Sequence, residues 1–317
     1  MCGLIPRIPS WFRREDADDP ASSAMIQAAK DHARDPMPTR SEAAARVPRP
    51  RTSLLRAGYL ACVAVVFLFM FTPLLFVIWV SLFNNEIITF PPQGYTLRWF
   101  GNAWANSAFL HGFISSIEIG AFAMLAGLAL GIPASFALVR GRFPAREALA
   151  AFLLSPLIVP GIVAGTAIYI YFVEIELSTG VRLIATLPGF IVAHVALTIP
   201  WTARLVSASL VGLDRSVEEA AMNLGARPFT MFRRITLPMI RPGVVAAGIF
   251  SFIVSFTDLE MSLFLIGPGR STLPIAMLQY LEWKFDPTVA AVSVVQIAII
   301  GAGLLVTDRF VKLSKVV

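Results

Sequence analysis

Four polar residues recur at helical spacing within an apolar stretch of the sequence. Ser251, Ser255, Asp258 and Ser262 are separated by four, three and four residues. On a regular helix this spacing places all four on one face. A carboxylate at the centre of a membrane-spanning helix costs roughly 2.5–3.5 kcal/mol, so Asp258 requires a partner or water. The stripe therefore predicts either a solute pathway or hydrogen bonds between helices, and both interpretations stay open.

Other ionisable residues occur in or beside apolar stretches. Glu260 lies two residues after Asp258, about 200° around a regular helix, which favours a salt bridge or a position at the rim of the pathway. His194 lies inside another apolar run and is a candidate for function or for helix packing. The predicted outer half is acidic, and such a field would attract a cation. Its acidic residues are Glu118, Glu174, Glu176, Asp258 and Glu260.

The sequence contains no recognisable catalytic set. No stretch has the form G-x-x-x-x-G-K-[ST], so the chain is not expected to hydrolyse ATP. The histidines His32, His111 and His194 are scattered, and no Cys/His cluster has metal-binding spacing. We therefore expect no catalytic residue, no metal and no cofactor bound by this chain.

Composition indicates a membrane protein. Hydrophobic residues make up 56% of the chain and charged residues 15%. The formal net charge of +6 fits Lys and Arg retained on the cytoplasmic side, and we expect no nucleic-acid partner. The two cysteines, Cys2 and Cys62, argue against a disulfide framework.

The order of apolar and polar segments predicts an all-α protein with six transmembrane helices. Residues 1–52 are expected to be a disordered cytoplasmic tail, 53–110 the first helix and a periplasmic loop, 111–306 the main core, and 307–317 a short cytoplasmic tail. Gly127, Gly131 and Ala134 should allow close helix contact. The predicted spans are about Gly58–Phe83, Phe113–Val139, Leu149–Val173, Ala185–Ser207, Gly243–Ile266 and Thr288–Val306, with loops at 84–110 and 267–286.

Lys and Arg near the spans predict the orientation. The side with few basic residues carries only Arg98, Arg182, Arg270 and Lys284. The other side is rich in them, so both termini and the loop near residue 220 are expected in the cytoplasm. Its basic residues are Arg49, Arg51, Arg56, Arg140, Arg142, Arg146, Arg215, Arg227, Arg233, Arg234, Arg241, Arg309, Lys312 and Lys315.

A polar, basic island from Glu218 to Pro238 separates two apolar runs. Ser216 and Glu219 have the spacing of a capping box, which predicts a helix start. Gly225 is placed to end that helix in a left-handed conformation. Pro228 suits the start of a second helix, which would carry Phe229 and Phe232 on one face.

The island resembles the EAA loop of permease subunits of binding-protein-dependent ABC importers. The match comprises Glu219, Ala220 and Ala221, then Gly225, and finally Ile235, Leu237 and Pro238 at the family's spacing. The resemblance implies the type I permease fold and a coupling helix that docks on a cytoplasmic ATPase. In that role Glu219 and Gly225 would fix the shape of the loop. Ala220 and Ala221 would allow close docking, and Phe229 and Phe232 would anchor the loop to the spans.

The same resemblance implies the partners. They are a sister permease subunit, with which the chain would form a heterodimer, two ATPase subunits that bind ATP and Mg²⁺, a periplasmic solute-binding protein and the lipid bilayer of a bacterial inner membrane. Ser255-Phe256-Thr257-Asp258, Gly267-Pro268-Gly269 and Leu273-Pro274 resemble the spermidine/putrescine branch, in particular its PotC-like subunit. This resemblance makes a polyamine the expected solute. The branch's usual Ser-Phe-Asp-Asp reads Ser-Phe-Thr-Asp here, so one acid is missing.

Two alternatives remain. The same machinery would serve another solute: an opine, aminoethylphosphonate, ferric iron or sulfate. A proton-coupled secondary transporter is the alternative of another class. It would leave the EAA resemblance unexplained, and the two halves of the sequence show no convincing repeat.

Overall fold

The structure is a computed structural model that describes residues 52–268 and 270–311. Regular structure in these residues is helical, with isolated bridges only at Phe83–Tyr95 and Gly267–Arg270. The all-α prediction is therefore confirmed for this part of the chain. The chain divides into one unit that ends at Phe69 and a second that begins at Met70. What is described of the first unit is the beginning of the first helix.

The described residues form twelve α-helices. Short 3-10 turns lie at Ser155–Leu157 and Ser262–Phe264, and a π-helical turn lies at Phe232–Thr236. The helices are α1 (Thr52–Val80), α2 (Arg98–Ala105), α3 (Ser107–Arg140), α4 (Arg146–Leu154), α5 (Gly161–Thr179), α6 (Leu187–Val211), α7 (Arg215–Asn223), α8 (Pro228–Met231), α9 (Leu237–Met239), α10 (Arg241–Thr257), α11 (Leu273–Trp283) and α12 (Thr288–Val311).

In the part of the chain that the structure describes, five helices are long and apolar enough to cross a membrane. They are α1, α3, α5, α6 and α12. The segment Pro228–Met239 and α10 meet at a bend of 73°, and as one broken span they would bring the number to six. The structure therefore supports five to six spans, and the exact prediction of six depends on that bent pair.

The third span differs from its prediction at about Leu149–Val173. Helix α4 ends at Leu154, and α5 begins only at Gly161, after Pro160. Proline has no N–H to donate and disfavours the helical conformation in the preceding residue, so Pro156 and Pro160 interrupt the helix. The apolar run is thus divided, and the spanning helix is α5.

The fifth span also differs from its prediction at about Gly243–Ile266. Helix α10 ends at Thr257, Asp258 is extended, and a 3-10 turn follows at Ser262–Phe264. The two regions predicted as loops each contain a helix, α2 in 84–110 and α11 in 267–286. Pro274 occupies the first turn of α11, where a missing N–H costs nothing.

The domain boundaries at the termini are only partly described. All of the predicted N-terminal tail except Thr52 lies outside the described residues. At the other end α12 continues to Val311, so it extends into the predicted tail 307–317. Residues 312–317 are not described.

Close packing of α3 against α6 forms the centre of the second unit. A Cβ atom at Gly127 would overlap the side chain of Thr198, and one at Gly131 would overlap that of Thr202. Ser135 Oγ donates to the carbonyl oxygen of Ala203 at 3.3 Å. The predicted close helix contact is confirmed at both glycines, and α10 packs on the same pair of helices through Ala247 and Val244.

Candidate functional site

Helix α7 begins at an aspartate cap. Asp214 Oδ1 accepts a hydrogen bond from the Ser216 backbone N–H at 2.9 Å, which satisfies one of the free donors of the first turn. The same backbone hydrogen bond lowers the pKa of Asp214, because it favours the charged carboxylate. The predicted capping box at Ser216 and Glu219 is therefore wrong, since Asp214 is the N-cap and Ser216 lies within the helix.

Gly225 ends the helix as predicted. Its φ is +87°, its N–H bonds to the Met222 carbonyl at 2.9 Å, and the Ala226 N–H bonds to the Ala221 carbonyl at 3.1 Å. These two bonds define a Schellman cap, whose left-handed residue is normally glycine. Pro228 then starts α8, also as predicted.

The turn between α7 and α8 exposes large apolar side chains. Leu224 is 90% exposed and Phe229 is 72% exposed, with Met222 and Val217 also exposed. Phe232 instead packs edge-on against Phe136 of α3 at 5.4 Å between ring centroids. Of the two predicted anchors, Phe232 contacts a span and Phe229 faces outwards.

The other motif residues divide by burial. Ala221 is buried, whereas Ala220 and Pro238 are exposed. Ile235 and Leu237 are half-buried.

Two adjacent acids in α7 have different surroundings. The Glu219 side chain is 56% exposed and lies 3.1 Å from Arg215 one turn earlier. The Glu218 side chain is only 4% exposed and faces the protein interior. The motif resemblance points to Glu219, but Glu218 is the acid that contacts α3 and the π-helical turn.

Glu218 is held on both carboxylate oxygens. Arg140 Nε, at the end of α3, lies 2.7 Å from Glu218 Oε2 at an angle that does not form a hydrogen bond, so the contact is ionic. Arg140 Nη2 donates to the Leu213 carbonyl at 3.0 Å. Thr236 Oγ1, in the π-helical turn, donates to Glu218 Oε1 at 2.8 Å. One carboxylate thus joins α3, α7 and the π-helical turn.

The buried polar stripe has a different geometry from the predicted one. Because α10 ends at Thr257, the four residues do not lie on one helix face, and that prediction is wrong. Ser251 Oγ lies 3.2 Å from Thr202 Oγ1 of α6. Ser255 Oγ lies 2.7 Å from His194 Nδ1, and Ser262 Oγ lies 3.1 Å from His194 Nε2.

Asp258 stabilises the break after α10. Its Oδ2 accepts hydrogen bonds from Ser262 N at 2.9 Å and Ser262 Oγ at 3.0 Å. Because the Ser262 hydroxyl donates to Asp258, His194 Nε2 is the donor to Ser262 Oγ. Irregular backbone within a span is tolerated where protein groups satisfy it, as here. In this state the stripe bonds to α6 and to itself, and a role in the pathway stays a prediction.

Glu260 is exposed and lies over the start of α5. A Cβ atom at Gly161 would overlap its carboxylate. Negative charge is favourable at a helix N-terminus, so the Glu260 carboxylate stabilises the start of α5 electrostatically. Glu260 and Asp258 therefore have separate surroundings, in agreement with the sequence expectation.

The predicted outer acids do not converge on one site. Glu118 forms an ion pair with Arg270 at 3.2 Å, Glu174 is exposed, and Glu176 is half-buried. Beside Arg270 is a cavity of about 590 Å³ lined also by His111, Ser271 and Gln279. Among the residues with described side chains, no group of three or more His, Cys, Asp or Glu could hold a metal ion.

Sequence reasoning missed four functional candidates. Arg140 entered the sequence analysis only as a basic residue that indicates orientation. Glu218 and its partner Thr236 were not predicted, because no local pattern shows which of two adjacent acids is buried. Arg204 was also missed: its side chain is exposed within α6, seven residues before the helix ends at Val211. The signal for Arg204 was available, since a charge inside an apolar span is uncommon.

The described residues combine apolar helices long enough to cross a membrane with a short helical turn that exposes large apolar side chains. A model of the family described as "Binding-protein-dependent transport system inner membrane component" matches residues 127–315. The chain belongs to this family, the permease subunits of ABC importers. The matched region includes the last part of α3, helices α4 to α12 and the α7–α8 turn.

Curated relatives give a narrower comparison. The chain is 31% identical over 236 residues to the putrescine transport system permease protein PotI of Escherichia coli K12, covering 74% of this chain and 84% of the relative. It is 25% identical over 261 residues to the spermidine/putrescine transport system permease protein PotC of the same strain, covering 81% and 95%. It is 29% identical over 258 residues to the putative 2-aminoethylphosphonate transport system permease protein PhnV of Salmonella paratyphi A, covering 81% and 94%.

Solved structures share the fold. A chain of a bacterial ABC transporter involved in the import of alginate matches with a TM-score of 0.61 at 13% identity, covering 87% of this chain and 99% of that chain. A chain of the inward-facing MetNI methionine ABC transporter matches with a TM-score of 0.54 at 20% identity, covering 68% and 98%.

Proposed function

We propose that this protein is the permease subunit of an ATP-driven importer that moves a polyamine, putrescine or spermidine, across a bacterial inner membrane. It would cross the membrane six times, with both termini in the cytoplasm, and pair with a sister permease. Two ATPase subunits carrying ATP and Mg²⁺ would bind on the cytoplasmic side. A periplasmic binding protein would deliver the solute.

The main support for this proposal is the exposed apolar surface of the α7–α8 turn. A surface loop between spans gains nothing from exposing Leu224 and Phe229, because exposed apolar area is favourable only when a partner covers it. The Schellman cap at Gly225 fixes the angle at which α7 and α8 present these side chains. The turn is therefore the surface we assign to the ATPase, with Glu219 and Ala220 exposed on the same helix.

The proposed mechanism is a rigid-body movement. Closure of the two ATPases around ATP would displace the α7–α8 turn, and the spans would rotate between inward and outward openings. In this state α3 and α6 are closely packed at Gly127 and Gly131.

The polyamine assignment rests on relatives and on charge. PotI and PotC are named as polyamine permeases, and together their matches cover most of this chain. The exposed Glu174 and Glu260 fit a cationic solute that enters from outside.

Arg204 favours a second candidate, 2-aminoethylphosphonate. Its side chain is exposed inside α6, and no ion pair to it is present among the described side chains. A fixed positive charge in the pathway would repel a polyamine, whereas it would attract a phosphonate group. PhnV, named for this solute, is also similar to the chain.

Gentle purification of the tagged protein from its native membrane, with mass spectrometry of the associated proteins, tests the importer assignment. We expect an ABC ATPase and a second permease to co-purify. Leu224→Asp should remove the ATPase and leave the sister permease, because it puts a charge into an apolar contact. Recovery of the protein alone from several mild detergents would refute the proposal and favour the proton-coupled transporter.

The associated binding protein decides between the solutes. We expect it to bind putrescine or spermidine in calorimetric titrations, and Arg204→Gln to leave polyamine uptake intact or increase it. If the binding protein takes 2-aminoethylphosphonate instead and Arg204→Gln abolishes its uptake, the polyamine assignment is wrong and the second candidate holds.

A further inference from the structure

The ion pair between Arg140 and Glu218 links a span to the helix that we assign to the ATPase. We propose that this pair is a positioning element that carries the movement of α7 into α3. The inference rests on the proposed function, because it concerns how a force applied at α7 reaches the membrane.

The chain offers no short covalent route from α7 to α3. Helix α7 follows α6 directly and precedes α10 through α8 and α9, whereas α3 ends 78 residues before Glu218. Movement of α7 can therefore pull on α6 and α10 through the backbone. It acts directly on α3 through side chains, and the Arg140–Glu218 contact at 2.7 Å is such a link.

The surroundings make this link stiff. The Glu218 side chain is 4% exposed and that of Arg140 is 14% exposed, so water and salt screen their attraction weakly. Glu218 Oε1 is held by Thr236, and Arg140 Nη2 by the Leu213 carbonyl. Sliding α7 past α3 would leave a buried charge without its partner, which is strongly unfavourable. The favoured response is that α3 moves with α7.

The π-helical turn supports the same role. A π-helical turn is an uncommon conformation that often occurs at functional positions. Here it turns Thr236, which is fully buried, towards Glu218 Oε1. The three elements α3, α7 and the π-helical turn therefore meet at one carboxylate.

The neighbouring acid provides the contrast. Glu219 bonds only to Arg215 of its own helix, in the described contacts, and is exposed. We therefore separate two roles: Glu219 lies on the surface offered to the ATPase, and Glu218 connects that surface to the spans.

A labelling experiment tests the transmission without knowledge of the solute. The complex carries Gln279→Cys, beside the outer cavity, in a background of Cys2→Ser and Cys62→Ser. The rate of its reaction with an impermeant thiol reagent is measured in native membranes, without nucleotide and after trapping with ATP and vanadate. With Glu218 present we expect trapping to change this rate, as the outer side opens.

Glu218→Gln is expected to reduce that change roughly tenfold, the size of a typical coupling between sites. The amount of ATPase bound and the amount of nucleotide trapped per complex should stay the same. Glu147→Gln, an exposed acid in α4, is the matched control and should preserve the full change.

A double variant separates transmission from folding. Glu218→Gln leaves Arg140 buried without a counter-charge, and the complex could fail to assemble for that reason alone. Arg140→Gln with Glu218→Gln removes both charges. We expect it to assemble and trap nucleotide normally, but still to lack the change in labelling, because the neutral pair holds α3 weakly.

Two outcomes would overturn the inference. The first is a normal change in labelling in Glu218→Gln, and the second is a normal change in the double variant, which would leave the pair a role in folding only. Failure of the unmodified protein to bind an ATPase would instead refute the proposed function.

Discussion

At the scale of single residues, identical residue types have different roles because their surroundings differ. Glu218 is buried between helices, whereas Glu219 is exposed beside it. His194 bonds through both ring nitrogens within the bundle, whereas His111 is exposed at the cavity beside Arg270. Burial, rather than residue type, therefore decides which substitutions the fold tolerates.

Gly225 provides the first prediction at this scale. Gly225→Ala should destabilise the protein by about 1 kcal/mol, because φ of +87° is unfavourable for any residue with a Cβ atom. Space does not limit the substitution, since no atom lies within 4 Å of the added carbon. The measurement is the fraction that remains monodisperse after heating in detergent. Gly212→Ala, at an ordinary helical φ of −72°, is the control, and an equal effect of both would refute the explanation.

His194 provides the second prediction at the scale of single residues. His194→Ala should destabilise the protein by roughly 1–3 kcal/mol, because it leaves the buried hydroxyls of Ser255 and Ser262 short of a partner. The same heating assay measures it, with His111→Ala as the exposed control. A variant as stable as the unmodified protein would mean that water replaces the ring at no cost.

At the scale of helices, the packing of α3 against α6 depends on the absence of side chains. Gly127 and Gly131 lie where Thr198 and Thr202 of α6 approach the backbone of α3. Van der Waals packing is a main source of helix association in lipid, where the hydrophobic effect contributes little. The close contact of these two helices therefore depends on both glycines.

Gly131→Ala tests this packing. The added methyl group overlaps the Thr202 side chain, and such overpacking should cost about 1–3 kcal/mol. Gly301→Ala in α12 adds the same group where no atom lies within 4 Å, and it should leave stability unchanged or increase it. Thermal unfolding of both variants in detergent is compared. Equal stability of the two would show that α3 and α6 can separate freely.

At the scale of the molecule, the proposed topology requires α6 to cross the membrane once. Residues before α6 and residues in α7 then face opposite compartments. The number of spans and the compartment of the coupling surface both depend on this arrangement, and so does access of the ATPase to Leu224 and Phe229.

Cysteine labelling checks the topology in a Cys2→Ser, Cys62→Ser background. In intact spheroplasts, Glu176→Cys should react with an impermeant thiol reagent, whereas Met222→Cys should react only after the membrane is permeabilised. Both positions are at least partly exposed in this chain, and the protein is expressed without the ATPase subunits, so access across the membrane rather than burial limits the reaction. Reaction of both from outside would contradict the six-span arrangement.

Features that depend on local chemistry could be predicted from the sequence. Apolar length predicted spanning helices at α1, α3, α6 and α12, because a helix in lipid must satisfy its backbone internally. Gly225 and Pro228 predicted the end of α7 and the start of α8, since each residue restricts the backbone at its own position. The spacing of the island gave the family resemblance, which the match over residues 127–315 supports.

Contacts between distant side chains, in contrast, depend on how the helices pack. The apolar run after Leu149 divides at Pro160, and α10 stops at Thr257 because Asp258 and Ser262 bond across a break. The choice between Glu218 and Glu219 depends on Arg140, which lies 78 residues earlier in the chain and comes within 2.7 Å only after folding. Hydropathy and spacing describe a residue's own helix, whereas an ion pair between helices depends on how those helices pack.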